Sequence, residues 1–287
     1  MIRLKKAEEY FSLTTRLYGK AEFMNPGGSI KDRAAKAVIE YAEKYGQLEN
    51  GHIVEATSGN MGISLAMIGA KLGYSVTIVM PNNASSERER LIRAYGGAVI
   101  RCGGGMSTSI STAEDLAREK GWFLTKQFEN RACIECHYRE TGAEIWRDLG
   151  GNVDVFIAGV GTCATLTGVG RFLKERGRVR VVAVEPAESA VISGRKASSH
   201  RIEGIGAGFI PKLYDSETVD EVIAVSSDEA IEMTRILARK EGLLVGISTG
   251  ANLAAAVKLG KGAHGNTVIP LCDRGERYFS KGVFPLD

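Results

Sequence analysis

From Lys31 onward the apolar residues Ala34, Ala35, Val38, Ile39 and Ala42 fall three or four positions apart. That is the spacing of a helix with one buried face, and Gly46 is a natural stop for it. Beyond Gly46 two patterns take turns. Short apolar runs at 53–56, 75–80, 98–101, 153–158, 179–184 and 267–271 predict strands. Helical spacing predicts helices over 62–72, 86–95, 107–120, 141–149, 166–176 and 251–259. Ser226 and Glu229 have the S-x-x-E form of a capping box, opening a further helix that Gly242 ends. Residues 243–245 are a short apolar run. Strands alternating with helices predict an α/β fold: parallel sheets with helices on both faces. The least regular stretch is 186–218, rich in Gly, Ser and Pro, and loops that long in a compact domain are often functional. A domain change is expected near 135–150.

Composition narrows the function. The chain has 287 residues, 44% hydrophobic and 25% charged, which suits one large or two medium globular domains. A net charge of +3, evenly spread, argues for neither nucleic acid nor an anionic membrane as partner. No apolar run approaches the ~20 residues of a membrane helix. The first residues lack the apolar core of a secretion signal, so a cytoplasmic location is expected. The five cysteines are odd in number and lack framework spacing, so structural disulfides are not expected. Cys133 and Cys136 form a C-x-x-C ahead of His137, but no second cysteine pair completes a zinc site, and no metal is expected. The 35 glycines cluster at the ends of apolar runs, as tight turns between strands and helices require.

The candidate chemistry lies in loops. Asn25-Pro26-Gly27-Gly28-Ser29-Ile30-Lys31 puts a lysine at a helix start, where the helix dipole disfavours a positive charge. A lysine that loses its proton easily is a nucleophile and can form a Schiff base; a surface lysine after a loop has the same local pattern. Thr57-Ser58-Gly59-Asn60-Met61 lies between a strand and a helix, where ligands bind in parallel sheets. Its hydroxyls, amide and helix-start N–H groups suit a carboxylate or phosphate, and a plain helix cap needs the same residues. Gly159-Val160-Gly161-Thr162-Cys163-Ala164-Thr165 follows an apolar strand and opens a helix, so its amides and hydroxyls can cradle a phosphate. Gly159, Gly161 and Ala164 also satisfy G-x-G-x-x-A, with Glu185 placed for a ribose, so a nicotinamide or flavin enzyme is a rival reading. That rival gives the Lys31 and Asn60 loops no task.

Taken together, these loops resemble fold-type II pyridoxal-phosphate enzymes, the tryptophan synthase β-like group, and within it the cysteine synthase (O-acetylserine sulfhydrylase) and cystathionine β-synthase family. The resemblance is carried by NPGGSIKDR, EATSGNMGISLAMIGAKLGY, MPNNASSERERLIRAYGG, KQFEN, TGAEIW, FIAGVGTCATLTGVGRFLK, VAVEP, IEGIGAGFIP, EGLLVGISTGAN and CDRGERYFSKGVF, in family order from Asn25 to Phe284. It implies two parallel-sheet domains: a smaller, mobile, substrate-side domain over 48–142, and a larger cofactor domain from 1–47 plus 143–287. Lys31 matches the lysine that holds the cofactor as an internal aldimine and moves the α-proton. Asn60 matches the partner of the ring hydroxyl, and Ser248 the neutral partner of the pyridine nitrogen. Gly161, Thr162, Cys163, Ala164 and Thr165 match the phosphate loop. Thr57, Ser58, Met61 and Gln127 match the holders of the substrate carboxylate, and Gly204 and Gly206 the loop facing the substrate.

The implied reaction is β-replacement, giving L-cysteine from O-acetyl-L-serine and sulfide through an aminoacrylate. Cysteine desulfhydration, cystathionine formation and a non-catalytic homologue are the alternatives. A homodimer is implied, with serine acetyltransferase as a possible partner. Several residues depart from the family pattern. The phosphate loop reads GTCAT for GTGGT, Met61 replaces a threonine, and the G-N-T-P-L segment before the lysine is missing, so the edge of the site or the dimer contact is expected to differ. Cys272-Asp273-Arg274-Gly275 resembles the subtype that accepts alternative sulfur donors; a structural salt-bridge cluster of Asp273, Arg274, Glu276 and Arg277 is the plain alternative. Asp32 and Arg33 are expected to be structural.

Overall fold

A computed structural model describes residues 1–260 and 264–284. The chain starts with β1 (Ile2–Arg3), α1 (Lys5–Phe11) and β2 (Arg16–Ala21), then α2 (Lys31–Lys44). There follow β3 (His52–Ala56), α3 (Asn60–Leu72), β4 (Ser75–Pro81), α4 (Ser86–Ala94), β5 (Ala98–Cys102), α5 (Gly105–Lys120) and β6 (Phe123–Leu124). Next come α6 (Ala132–Cys136), a π-helical turn (His137–Gly142) and α7 (Ala143–Asp148). The remainder is β7 (Val155–Gly159), α8 (Ala164–Lys174), β8 (Arg180–Pro186), β9 (Glu221–Val225), α9 (Ser227–Ile236), α10 (Ile247–Leu259) and β10 (Asn266–Leu271).

The strands form two sheets. One has the order β5-β4-β3-β6 and is wholly parallel. The other has the order β1-β2-β10-β7-β8-β9, parallel except for the short β1 pairing at its edge. This is the α/β architecture that the alternating pattern predicts. The strands read as apolar runs because parallel sheets are covered on both faces: Phe156, Ile157, Val181, Val182, Val268 and Ile269 are fully buried. The fully buried Val38 and Ile39 of α2 share a core with Ile53, Ile78 and Phe156, strand residues of both sheets.

The predicted elements over 53–56, 62–72, 75–80, 86–95, 98–101, 107–120 and 267–271 are present within two residues at each end. The capping box is formed: Ser226 Oγ accepts from the Glu229 N–H and Glu229 Oε2 accepts from the Ser226 N–H. Its helix continues as a π-helical turn to Glu241, and Gly242 ends it at φ +68°. The helix predicted over 166–176 is likewise present within two residues at each end. Two helices run otherwise. The one predicted over 141–149 is the tail of a helical stretch that starts at Ala132, and the one predicted from 251 starts at Ile247. In the apolar run 243–245, Val245 makes an isolated bridge to Arg274.

Candidate active site

The carboxyl ends of the parallel strands deliver the predicted loops to one cavity of about 580 Å³. Lys31, Thr57, Ser58, Asn60, Met61, Gln127, Gly161, Thr162, Cys163, Thr165, Gly204, Gly206 and Ser248 all line it; Ala164 is buried behind, as the first residue of α8. Lys31 opens α2, and the loop before it is tied by Asp32, whose carboxylate accepts from Gly27 N at 2.6 Å and Ser64 Oγ at 2.5 Å. Arg33 pairs with Glu22 at 2.8 Å and with Glu144 at 2.7 Å, joining α2 to α7. Both residues hold structure, as expected.

Burial draws the Lys31 amine below its ordinary pKa, with the Cys133, Cys272, Cys136 and Cys163 thiols near it. Those thiols are themselves pushed up by burial, Cys133, Cys163 and Cys272 to about 12, so they remain neutral around the lysine. The five cysteines are free thiols.

The loop from Gly161 to Thr165 meets the start of α8. Thr162 Oγ1 accepts from Ala164 N at 3.4 Å. A methyl group on Gly161 would collide with the backbone oxygen of Gly204, so these two loops need a glycine here to approach. Gly206 N donates to Val160 O at 2.9 Å and stitches them together. Cys163 holds φ +71°, the left-handed region that glycine occupies without strain. The departure from the family's glycine is thus accommodated with the backbone in a glycine-like conformation.

Thr165 has a partner that sequence reasoning passed over. His137 Nε2 lies 3.1 Å from Thr165 Oγ1, and its Nδ1 lies 3.0 Å from Thr141 Oγ1. Burial, with the nearby Lys31 and Arg33 charges, lowers the His137 pKa to about 3, so the imidazole is neutral and orients Thr165. Its only sequence signal was adjacency to the C-x-x-C.

Asn60 is engaged on both sides. Its Nδ2 donates to Asp273 Oδ2 at 2.6 Å and its Oδ1 accepts from Arg277 Nη1. Tyr278 OH also donates to Asp273 Oδ2, at 2.6 Å, and Arg277 Nη2 donates to Gly27 O. Asp273 and Arg277 therefore converge on Asn60 instead of pairing with each other. One amide hydrogen of Asn60 is left for a ligand. Ser248 lies in the first turn of α10, where Gly246 is the N-cap; the hydroxyl is not spent on capping and hydrogen-bonds the Cys272 thiol.

Across the mouth, Arg88 of α4 pairs with Glu203, which also accepts from Lys281 at 3.2 Å. Arg88 is 1% exposed, lies against the Tyr278 ring, and keeps an unpartnered Nε. Nothing in the spacing of SERER or IEGIG marked this pair. Glu203→Gln leaves the Arg88 charge with a weaker acceptor. It is expected to lower stability by about 1–3 kcal/mol, read as a shift in the urea midpoint; an unchanged midpoint would show that the pair carries no load.

Residues 1–273 match the model of a family described as pyridoxal-phosphate dependent enzyme. The chain belongs to that family. Among similar proteins of this family, a cysteine synthase of Staphylococcus aureus is 45% identical over 280 residues, covering 94% of this chain and 90% of the relative. The solved structure of an O-ureido-L-serine synthase variant with O-ureido-L-serine bound superposes with a TM-score of 0.94 at 40% identity, covering 100% of this chain and 91% of that one. A cysteine synthase structure from Entamoeba histolytica gives 0.94 at 37% identity, covering 100% and 88%.

The site fits the family's cofactor. A desolvated lysine amine, a helix start with no side chain at Gly161 to crowd an anion, and an uncharged hydroxyl at Ser248 share one cavity. Lys31 would hold the cofactor's aldehyde carbon, the 161–165 loop its phosphate, and Asn60 and Ser248 its ring. The nicotinamide reading is overturned, since the family match runs through all three loops. Among the described residues no helix is long and apolar enough to cross a membrane.

Proposed function

We propose that this enzyme replaces the β-acetoxy group of O-acetyl-L-serine with sulfide, releasing acetate and L-cysteine. The observation that carries the reading is the placement of a desolvated Lys31 amine in one cavity with the Thr57–Met61 loop and the anion-binding start of α8. The 45% identity to a cysteine synthase supports the choice of sulfur chemistry. Bound pyridoxal phosphate supplies an electron sink for the charge left when the α-proton departs.

The residues supply the rest. In the loop before α3, Thr57 offers its hydroxyl and Ser58 its hydroxyl and N–H to the substrate carboxylate, and the two orient the α-carbon. Lys31 Nζ, whose hold on a proton is weakened by burial, takes the α-proton and later returns one. Ser248, a hydroxyl, does not drive a proton onto the ring nitrogen as a carboxylate would; that favours loss and replacement at the β-carbon. The two sheets lie on either side of the cavity in this reading, with 48–142 as the mobile unit and 1–47 plus 143–287 as the fixed one. The enzyme works as a cytoplasmic homodimer, with serine acetyltransferase as a candidate partner.

The purified holoenzyme tests this directly. Its visible absorbance should change on adding O-acetylserine and return on adding sulfide, with cysteine and acetate formed one for one. A cofactor absorbance that ignores O-acetylserine but responds to cysteine or serine would move the assignment to desulfhydration or cystathionine formation.

A further inference from the structure

The residues assigned to the substrate carboxylate, Thr57, Ser58, Met61 and Gln127, are all uncharged. Gln127 has no free amide hydrogen: Nε2 donates to Glu55 Oε1 at 3.3 Å and to Ala56 O at 3.0 Å. The Gly59 N–H is also taken, by Thr57 Oγ1 at 3.1 Å. An anion leaving water needs a cation or strong donors to replace its hydration. Among the described residues four lysines and arginines line the cavity: Lys31, Arg88, Arg201 and Lys281. Lys31 is the amine of the chemistry. Arg201 is exposed and pairs with Asp228. Lys281 is exposed as well. Arg88 is the buried one.

Arg88 packs on the carboxylate loop itself. A methyl group on Gly59, between Ser58 and Asn60, would lie 3.2 Å from Arg88 Nε and 3.3 Å from its Cζ. That Nε is buried and has no hydrogen-bond partner. Arg88 Nη1 donates to Glu203, which directly precedes Gly204 in the loop facing the substrate and lines the same cavity. A carboxylate therefore does occupy this guanidinium, and it is the protein's own. Glu203 has a second partner: Lys281 Nζ lies 3.2 Å from its Oε1. Lys281 is held in place by Asn83 O at 3.0 Å. Glu203 can thus give up Arg88 and keep a cation.

We propose that Arg88 is the cation for the substrate carboxylate, and that Glu203 holds its place in the empty site. The incoming carboxylate takes the Arg88 guanidinium, and Glu203 passes to Lys281. No covalent bond changes and no proton moves. The exchange also selects. A neutral group cannot replace Glu203, because Arg88 would be left buried without a charged acceptor. The alternative is a strut that only ties α4 to the 203–206 loop. This assignment rests on the carboxylate role proposed for the Thr57–Met61 loop and not on which β-substituent is exchanged.

The test titrates the holoenzyme by calorimetry with propionate, a carboxylate with no amine to react, and with its uncharged counterpart propionamide. Glu203→Gln frees Arg88 and should bind propionate about tenfold more tightly than the parent, even though it unfolds more easily. Lys281→Met removes the second partner of Glu203 and should weaken propionate binding by about threefold to tenfold. Propionamide should be insensitive to both substitutions. The gain from Glu203→Gln should persist when Lys281→Met is added and vanish when Arg88→Met is added. The reverse pattern would put the carboxylate on Lys281 and overturn the proposal. A strut predicts that Glu203→Gln loosens the loop and weakens propionate, and that result, or propionate affinity unchanged in both single variants, would also overturn it. Lys281 is exposed, so its variant decides the matter alone if the Glu203 variant does not fold. Failure to make cysteine from O-acetylserine would sink the proposed reaction and leave these affinities standing.

Discussion

Lys31→Ala should lower kcat by about 10⁴-fold or more. The substitution removes the group that moves the α-proton, worth about 10²–10⁴ by itself, and the covalent tether of the cofactor. Borohydride reduction of the loaded parent should fix the cofactor to the peptide containing Lys31, and the variant should carry no fixed label. A variant that still labels, or turns over within tenfold of the parent, removes Lys31 from its role. Stability should move the other way. The Lys31 pKa is lowered on folding by burial, so between the folded value and the usual lysine value the unfolded chain binds more protons. Stability of the cofactor-free protein therefore rises with pH through that window and is least below it. Lys31→Met, similar in volume and uncharged, should melt higher than the parent at pH 7 when both lack cofactor, and the gap should narrow towards pH 10.

Gly161→Ala should weaken cofactor binding about tenfold to a hundredfold. The added methyl collides with the Gly204 backbone oxygen, which is not the end of a flexible side chain. Relief requires the 161–165 loop or the 204–206 loop to move, and forced overpacking costs about 1–3 kcal/mol. The Gly206 N to Val160 O hydrogen bond that joins these loops would stretch with it. Titrating the cofactor-free variant with pyridoxal phosphate, followed by fluorescence, reads the effect. Parent-like affinity would mean that the phosphate lies elsewhere.

Much of this architecture is legible in the residues, for physical reasons that also explain the gaps. Strands of a parallel sheet are buried on both faces, so β3, β4, β7, β8 and β10 read as apolar runs. β2 is hidden because Arg16, Gly19 and Lys20 interrupt it; Lys20 is tolerated inside because Glu144 meets its amine at 2.6 Å. β9 lies at an edge and is half-buried, and β6 is two residues long, too short for any period to show. The residues that line the cavity were legible where they sit in contiguous loops. Those that act across the fold were not: His137 reaches Thr165, Asp273 and Arg277 reach Asn60, and Glu55 reaches Gln127 over 72 positions. Each is a polar residue whose partner is set by topology, and spacing along the chain carries no trace of it.

The pairing of β2 with β10 joins residues 16–21 to residues 266–271. A ribosome making this chain therefore releases the parts in an uneven order. The β3–β6 sheet is complete once residue 124 has emerged and can form with short loops. The other sheet must wait for residues 266–271, with β2 unpaired on one side throughout. Ser248 and Cys272, which line the cavity, arrive in the same stretch of synthesis. Nascent chains truncated before β10 should thus hold a protease-resistant core over roughly 50–125 while remaining unable to retain cofactor, so that the coenzyme is acquired only after residue 271 has emerged.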